Sequence, residues 1–276
     1  VGGAERSARK RRQGAQTGAG ARPTGSGKGA VAAARKSGVD RKTAIGIVVV
    51  LVIAVAVVGG VIFTRSQKDD TSGQAIAVKN TGVEVPAVRD GAAVLVGKDA
   101  AKVTVDVYED FLCPACGSFE SAYGASVEEK LAAGEIKVRF HMLNMLNDRS
   151  DPAGYSTDSA NAALLAADEG KFLAFHKSLF GSQPEEGARG WSKDQLIALG
   201  KSLGLTSQTF ADGIRSGKYD KDVSDAFQKV RTTDYLQQEY NGQKSFGTPT
   251  LAIGTKIVDT SDPKWLDNAV AAGAGS

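Results

Sequence analysis

Two cysteines, Cys113 and Cys116, separated by Pro114 and Ala115, are the only thiols in this chain of 276 residues. Across one helical turn, two such residues can form a disulfide and also release it. The sulfur at the start of a helix faces unpaired N–H groups and the positive end of the helix dipole, which favour the thiolate. A stabilised thiolate is a good leaving group, so a disulfide there is reactive. Pro114 suits the first helical turn, where its missing N–H would be unpaired anyway. A structural disulfide and half of a metal site are the other readings. The first closes too short a loop to stabilise much. The second lacks further cysteines and would need His141 or His176 brought in from elsewhere. Redox exchange is the reading the spacing favours.

The pair needs a strand to deliver it and a helix to begin at it. In Lys102–Tyr108, Val103, Val105 and Val107 alternate with Thr104, Asp106 and Tyr108, the two-residue period of a strand. Val94–Val96 reads as another strand before it, with Gly97-Lys98-Asp99 turning between them. After the cysteines, Phe119, Tyr123, Val127 and Leu131 form an apolar helical stripe ending near Gly134. Ile136–Leu143 reads as a further strand. Tyr155 to Tyr240 has a helical rhythm, with Phe172, Phe175 and Leu179 on one stripe and a capping box at Ser192 and Gln195. Strand character returns at Thr250–Ile253 and Lys256–Val258, and Pro263 opens a last helix carrying Trp265, Leu266 and Val270.

The net charge of +3 averages two different regions. Residues 1–42 hold eleven Lys/Arg against Glu5 and Asp40, a balance of +9, with almost no large apolar side chain. Such a segment cannot bury enough surface to offset ordering entropy and is expected to be a disordered basic tail. The remaining 23 basic and 29 acidic residues give −6. Gly25-Ser26-Gly27-Lys28 fails the phosphate-loop pattern, because Gly29 stands where Ser or Thr is required and no strand precedes it. Between the tail and the folded region, Ala44–Phe63 is an uncharged run of 20 residues, long enough for a bilayer's hydrocarbon core. The expected organisation is a tail at 1–42, a transmembrane helix at 43–64 and a polar linker at 65–78. By the positive-inside rule the tail stays in the cytoplasm, and the rest is extracytoplasmic on a single-pass cell-membrane anchor. Binding of nucleic acid is not expected.

Glu109-Asp110-Phe111-Leu112-Cys113-Pro114-Ala115-Cys116 with Phe119-Glu120 resembles the active-site segment of DsbA-like thiol–disulfide oxidoreductases, in their membrane-anchored bacterial form. The resemblance continues in Lys171-Phe172, Phe175-His176 and Leu179-Phe180, and in Phe246-Gly247-Thr248-Pro249-Thr250, similar to the family's cis-proline loop. It implies an α/β thioredoxin-like fold at 79–154 and 243–276, interrupted by an inserted α-helical domain at 155–242. It implies a catalytic set of Cys113, Cys116 and a cis Pro249, with Thr248, Pro114 and Ala115 meeting an extended substrate. Neither cofactor nor metal is expected. The implied partners are exported proteins with cysteines and a membrane quinone-coupled thiol oxidase that restores the disulfide.

Two departures from the family pattern matter. The position six residues before the first cysteine often carries a buried carboxylate in thioredoxin-fold enzymes, and here it is Val107. Ala115 stands where the best-known oxidase of the family has histidine, so Cys113 is expected to be less acidic and the protein a milder oxidant. Glu109 and Asp110 lie near enough in sequence to tune Cys113 or relay a proton. His176 and His141 read as packing residues of a helix and a strand, and Glu185-Glu186 as a solvated loop. Reductase or isomerase action is the alternative direction of the same chemistry. Outside enzymology stand a copper-type metal carrier and a binding module that holds unfolded segments.

Overall fold

A computed structural model describes residues 71–240 and 242–274. The expected tail, the membrane helix and the first part of the linker fall outside them. Among the described residues no helix is long and apolar enough to cross a membrane.

The strands are β1 (Ala87–Asp90), β2 (Ala93–Val96), β3 (Val103–Glu109), β4 (Ile136–Met142), β7 (Thr250–Ile253) and β8 (Lys256–Ile257), in one sheet ordered β1-β2-β4-β3-β7-β8. β3 and β4 are parallel, with Val105 opposite Val138 and Val107 opposite Phe140. Helix α1 (Pro114–Ala133) makes the crossover between them. The other neighbouring pairs are antiparallel. The two strands read on either side of Gly97-Lys98-Asp99 are therefore not neighbours, because β4 lies between them. Each pairs with a strand from elsewhere in the chain, a non-local choice that alternation alone cannot specify.

The alternation in β3 works as its residue types require. Val103, Val105 and Val107 are buried, and Thr104 and Asp106 only partly. From Val107 to Cys113 every residue is buried, so the chain reaches the motif through the middle of the molecule. α1 starts with Pro114 at its first turn and stops at Gly134, whose φ of 76° is readily adopted only by glycine. Phe119, Val127 and Leu131 are buried along α1, and Tyr123 is half-buried against the same core.

Between β4 and β7 lie α2 (Tyr155–Asp168), α3 (Phe172–Gly181), α4 (Lys193–Ser202), α5 (Gln208–Ser216) and α6 (Asp220–Val230). α2 is buried on nearly all sides, and its run of alanines lets neighbouring helices approach it closely. The capping box at Ser192 and Gln195 is complete in both directions. Apolar residues of this block and of the sheet belong to one continuous core. Each large buried side chain contributes roughly 1.5–3 kcal/mol, so the block and the sheet support each other.

Several elements differ from the sequence reading. β1 was not legible, since its four residues alternate between half-buried and exposed at a sheet edge. A two-stranded hairpin, β5 (Gln238–Tyr240) with β6 (Gln243–Ser245), ends the helical stretch. Its polar composition carries no strand period. The last helix, α7 (Trp265–Ala274), begins two residues after Pro263, and Asp262 accepts the N–H groups of Trp265 and Lys264. The expected linker is docked from Thr71 onward. Gln195 donates to the carbonyls of Thr71 and Gln74, Ser178 and Ser182 accept the N–H groups of Lys79 and Ala77, and Ile76 is buried. These contacts, not the polar composition, tie residues 71–79 to the helical block.

Candidate functional site

Cys113 caps the N-terminus of α1, with φ −71° and ψ 116°, and its carbonyl accepts the first helical bond from Gly117 at 3.1 Å. Both cysteines are free thiols, Cys113 5% and Cys116 0% exposed, while Pro114 and Ala115 form the exposed rim. The thiol of Cys113 donates to the carbonyl of Thr248 at 3.3 Å. The Thr248–Pro249 peptide is cis. Beside it lies a cleft of about 250 Å³, lined in part by Gln238, Pro249, Thr250 and Ile257. The tertiary structure thus joins motifs 135 residues apart.

The two sulfurs are electrically unequal. Cys113 is drawn down to about 6, chiefly by the hydrogen bond from Cys116. The side chain of Thr248, as distinct from its carbonyl, and the free N–H groups of Cys116 and Ala115 add to this, and burial opposes it. Cys116 is pushed well above the thiol range by burial, by its bond to Cys113 and by the charges of Cys113 and Glu109. The inequality favours the thiolate at Cys113 and the protonated thiol at Cys116.

Val107 is buried and apolar, as read, yet the site has its carboxylate. Glu109 lies two residues further along the same face of β3, about 7 Å nearer the motif, and is 1% exposed. Burial and the charge of Cys113 raise it well above the carboxylate range. Its Oε1 lies 2.6 Å from Nε2 of His176, and its Oε2 is buried without a hydrogen-bond partner. His176 reaches it from α3 through a cage of Phe111, Phe140, Phe172 and Phe180, and burial lowers its pKa. The reading of His176 as a plain packing residue is thus corrected. Its helical spacing does not reveal this contact, because its partner is 67 residues away.

Glu120, on α1, completes the group. Its donor atom lies within 4.8 Å of those of Glu109 and His176, and burial with the charge of Glu109 raises it to about 8. Glu120 and His176 line a cavity of about 430 Å³ between α1 and α3. Among the described residues these three could hold one metal ion. Lys79 and Lys177 line the same cavity and oppose a cation, whereas protons satisfy the buried carboxylates directly.

Asp110 has a different part. Its two oxygens accept the N–H groups of Leu112 and Leu146, each at 2.8 Å, tying the turn before Cys113 to the loop after β4. Burial raises it to about 6 against the pull of those bonds. His141 is structural, paired with Asp106 at 2.8 Å and stacked on Tyr108 at 4.1 Å.

The comparisons agree with this geometry. A family model described as Thioredoxin matches residues 89–272, and the chain belongs to that family. Among solved structures, oxidised DsbA of Mycobacterium tuberculosis is similar over 70% of this chain and 94% of its own, at 29% identity and a TM-score of 0.55. The reduced disulfide bond oxidoreductase DsbG of the same organism covers 77% and 92%, at 26% identity and a TM-score of 0.53. Among curated proteins, the serine/threonine-protein kinase PknE of Mycobacterium tuberculosis is 32% identical over 208 residues, 73% of this chain. The chain spans about a third of the length of the kinases it matches, 35%. It is homologous to thiol–disulfide oxidoreductases and has their thioredoxin-like α/β fold.

Proposed function

We propose that this chain is a membrane-anchored, extracytoplasmic oxidoreductase that forms disulfides in exported proteins through Cys113-Pro114-Ala115-Cys116. The observation that carries the reading is an acidic Cys113 set 3.3 Å from the Thr248 carbonyl, beside cis Pro249, with Cys116 buried behind it. In the oxidised protein, a substrate thiolate attacks the sulfur of Cys113. The Cys113–Cys116 bond breaks and its electron pair leaves on Cys116, which takes up a proton. A second substrate thiolate attacks the substrate sulfur of the mixed disulfide, and Cys113 leaves as the thiolate. Two substrate thiols have become one disulfide, and the protein disulfide two thiols. Glu109, protonated when buried beside the pair, supplies the proton that Cys116 needs, and His176 and Glu120 connect it to the cavity between α1 and α3. Pro114 and Ala115 form the rim met by an extended substrate, with Thr248 opposite.

The apolar run at 44–63 and the +9 segment before it support an anchor with its N-terminus in the cytoplasm. Outside the cytosol disulfides form and persist, which favours the oxidising direction. A quinone-coupled thiol oxidase in the membrane would regenerate the disulfide. Reductase or isomerase action is the second reading, because Ala115 withholds the imidazolium that would make the pair strongly oxidising.

The test combines topology and trapping in cells making the full chain. Added protease should digest the catalytic region from outside and spare the tail. Cys116→Ser should accumulate mixed disulfides with exported proteins, and Cys113→Ser should trap none. A protease-protected catalytic region, or turnover retained in Cys113→Ser, overturns the proposal.

A further inference from the structure

Besides the rings of His176 and Phe180 on Phe111, a polar side chain of the helical block outside the catalytic set reaches the redox turn. Gln183 follows α3, and its amide nitrogen donates to the carbonyl of Phe111 at 3.0 Å and to that of Cys113 at 2.9 Å. Both amide protons are spent on those two carbonyls. The Cys113 carbonyl, already accepting from Gly117, then has both lone pairs engaged. Leu112, between the two carbonyls, gives its N–H to Asp110. The turn is thereby held from the sheet side by Asp110 and from the helical side by Gln183.

The approach is close enough to restrict the sequence of α1. A Cβ at position 117 would come within 2.2 Å of Gln183 Oε1, so glycine there makes room for the amide. Gln183 is itself held. Its N–H bonds the Phe180 carbonyl at 3.3 Å, and buried Trp191 donates to the carbonyl of Ser182 at 2.8 Å.

We propose that Gln183 is a positioning residue for the redox motif, fixing the Phe111 and Cys113 carbonyls so that the Cys113 sulfur faces Thr248. Two donors on the Cys113 carbonyl also withdraw negative charge from beside the sulfur, which favours the thiolate. The part played by Gln183 in exchange rests on the redox reading above, but its effect on the thiol does not require it.

The experiment titrates Cys113 in the reduced full chain by thiolate absorbance. Gln183→Met keeps the bulk and removes both donors. Gly117→Ala keeps the amide and drives it off the carbonyls. Each should raise the Cys113 titration by about half a unit, about threefold less thiolate below its midpoint. The double variant should move it no further than either single one, because both break the same contact. Unchanged titration in the folded single variants, or additive shifts in the double, overturns the proposal. If Gln183→Met does not fold, Gly117→Ala decides by the same shift. A wild-type protein that titrates as described yet exchanges no disulfides would refute the redox reading and leave this one standing.

Discussion

Glu109 and His176 form a hydrogen bond of 2.6 Å between side chains that are 1% and 3% exposed, one at the end of a sheet strand and the other on a helix of the inserted block. Burial drives the carboxyl up and the imidazole down, each shift disfavouring the charged form of its group. One carboxyl oxygen is already without a partner.

His176→Phe would fit the surrounding phenylalanines but would leave both Glu109 oxygens unpaired in the interior. We expect a loss of about 1–3 kcal/mol in stability, read from urea unfolding at constant slope. Adding Glu109→Leu should recover much of that loss, since replacing both partners removes the orphaned group. A stability unchanged by His176→Phe sinks this account.

The low pKa of Cys113 has a pH signature. Its folded value, about 6, lies below its ordinary value of 9.0, so the unfolded chain binds more protons between them. The thiolate's contribution to the reduced protein is complete above pH 9 and is lost as pH falls through about 6. Reduced and oxidised forms compared from pH 6 to 9 should diverge by up to about 1.4 kcal/mol per pH unit, with the reduced form gaining as pH rises. Parallel stability curves for the two forms would contradict this.

Asp110→Ala would strip two N–H groups, the buried one of Leu112 and the part-buried one of Leu146, of their acceptor at once. The expected cost is about 2–5 kcal/mol, with the turn before Cys113 loosened. Amide exchange at Leu112 and Leu146 should accelerate well beyond that of β3. Protection that survives the substitution would show that the clamp lies elsewhere.

With Ala115 between the cysteines, only backbone N–H groups, Cys116 and Thr248 lower the Cys113 pKa, and about 6 sits nearer the value of about 7 in thioredoxin than about 3.5 in DsbA. The Cys113/Cys116 couple should therefore be less oxidising than roughly −120 mV. Ala115→His should shift it in the oxidising direction. Equilibration with glutathione measures both, and a wild-type potential near −120 mV would falsify the milder-oxidant expectation.

The sequence by itself determined what depends on neighbours along the chain. The valine alternation made β3, Pro114 and Gly134 bounded α1, Ser192 with Gln195 capped α4, and Cys-Pro-Ala-Cys at a strand-to-helix junction pointed to redox chemistry. Contacts between distant segments were decided only by the tertiary structure. It set β4 between β2 and β3, docked Thr71–Lys79 on the helical block, and brought Thr248 to Cys113. It also found the missing carboxylate two residues beyond Val107, and gave His176 and Gln183 work that a helical stripe and a polar loop could not announce. Periodicity records which face of an element is buried. Which group a buried polar atom meets is fixed by packing across 67 to 135 residues, and local pattern carries no trace of it.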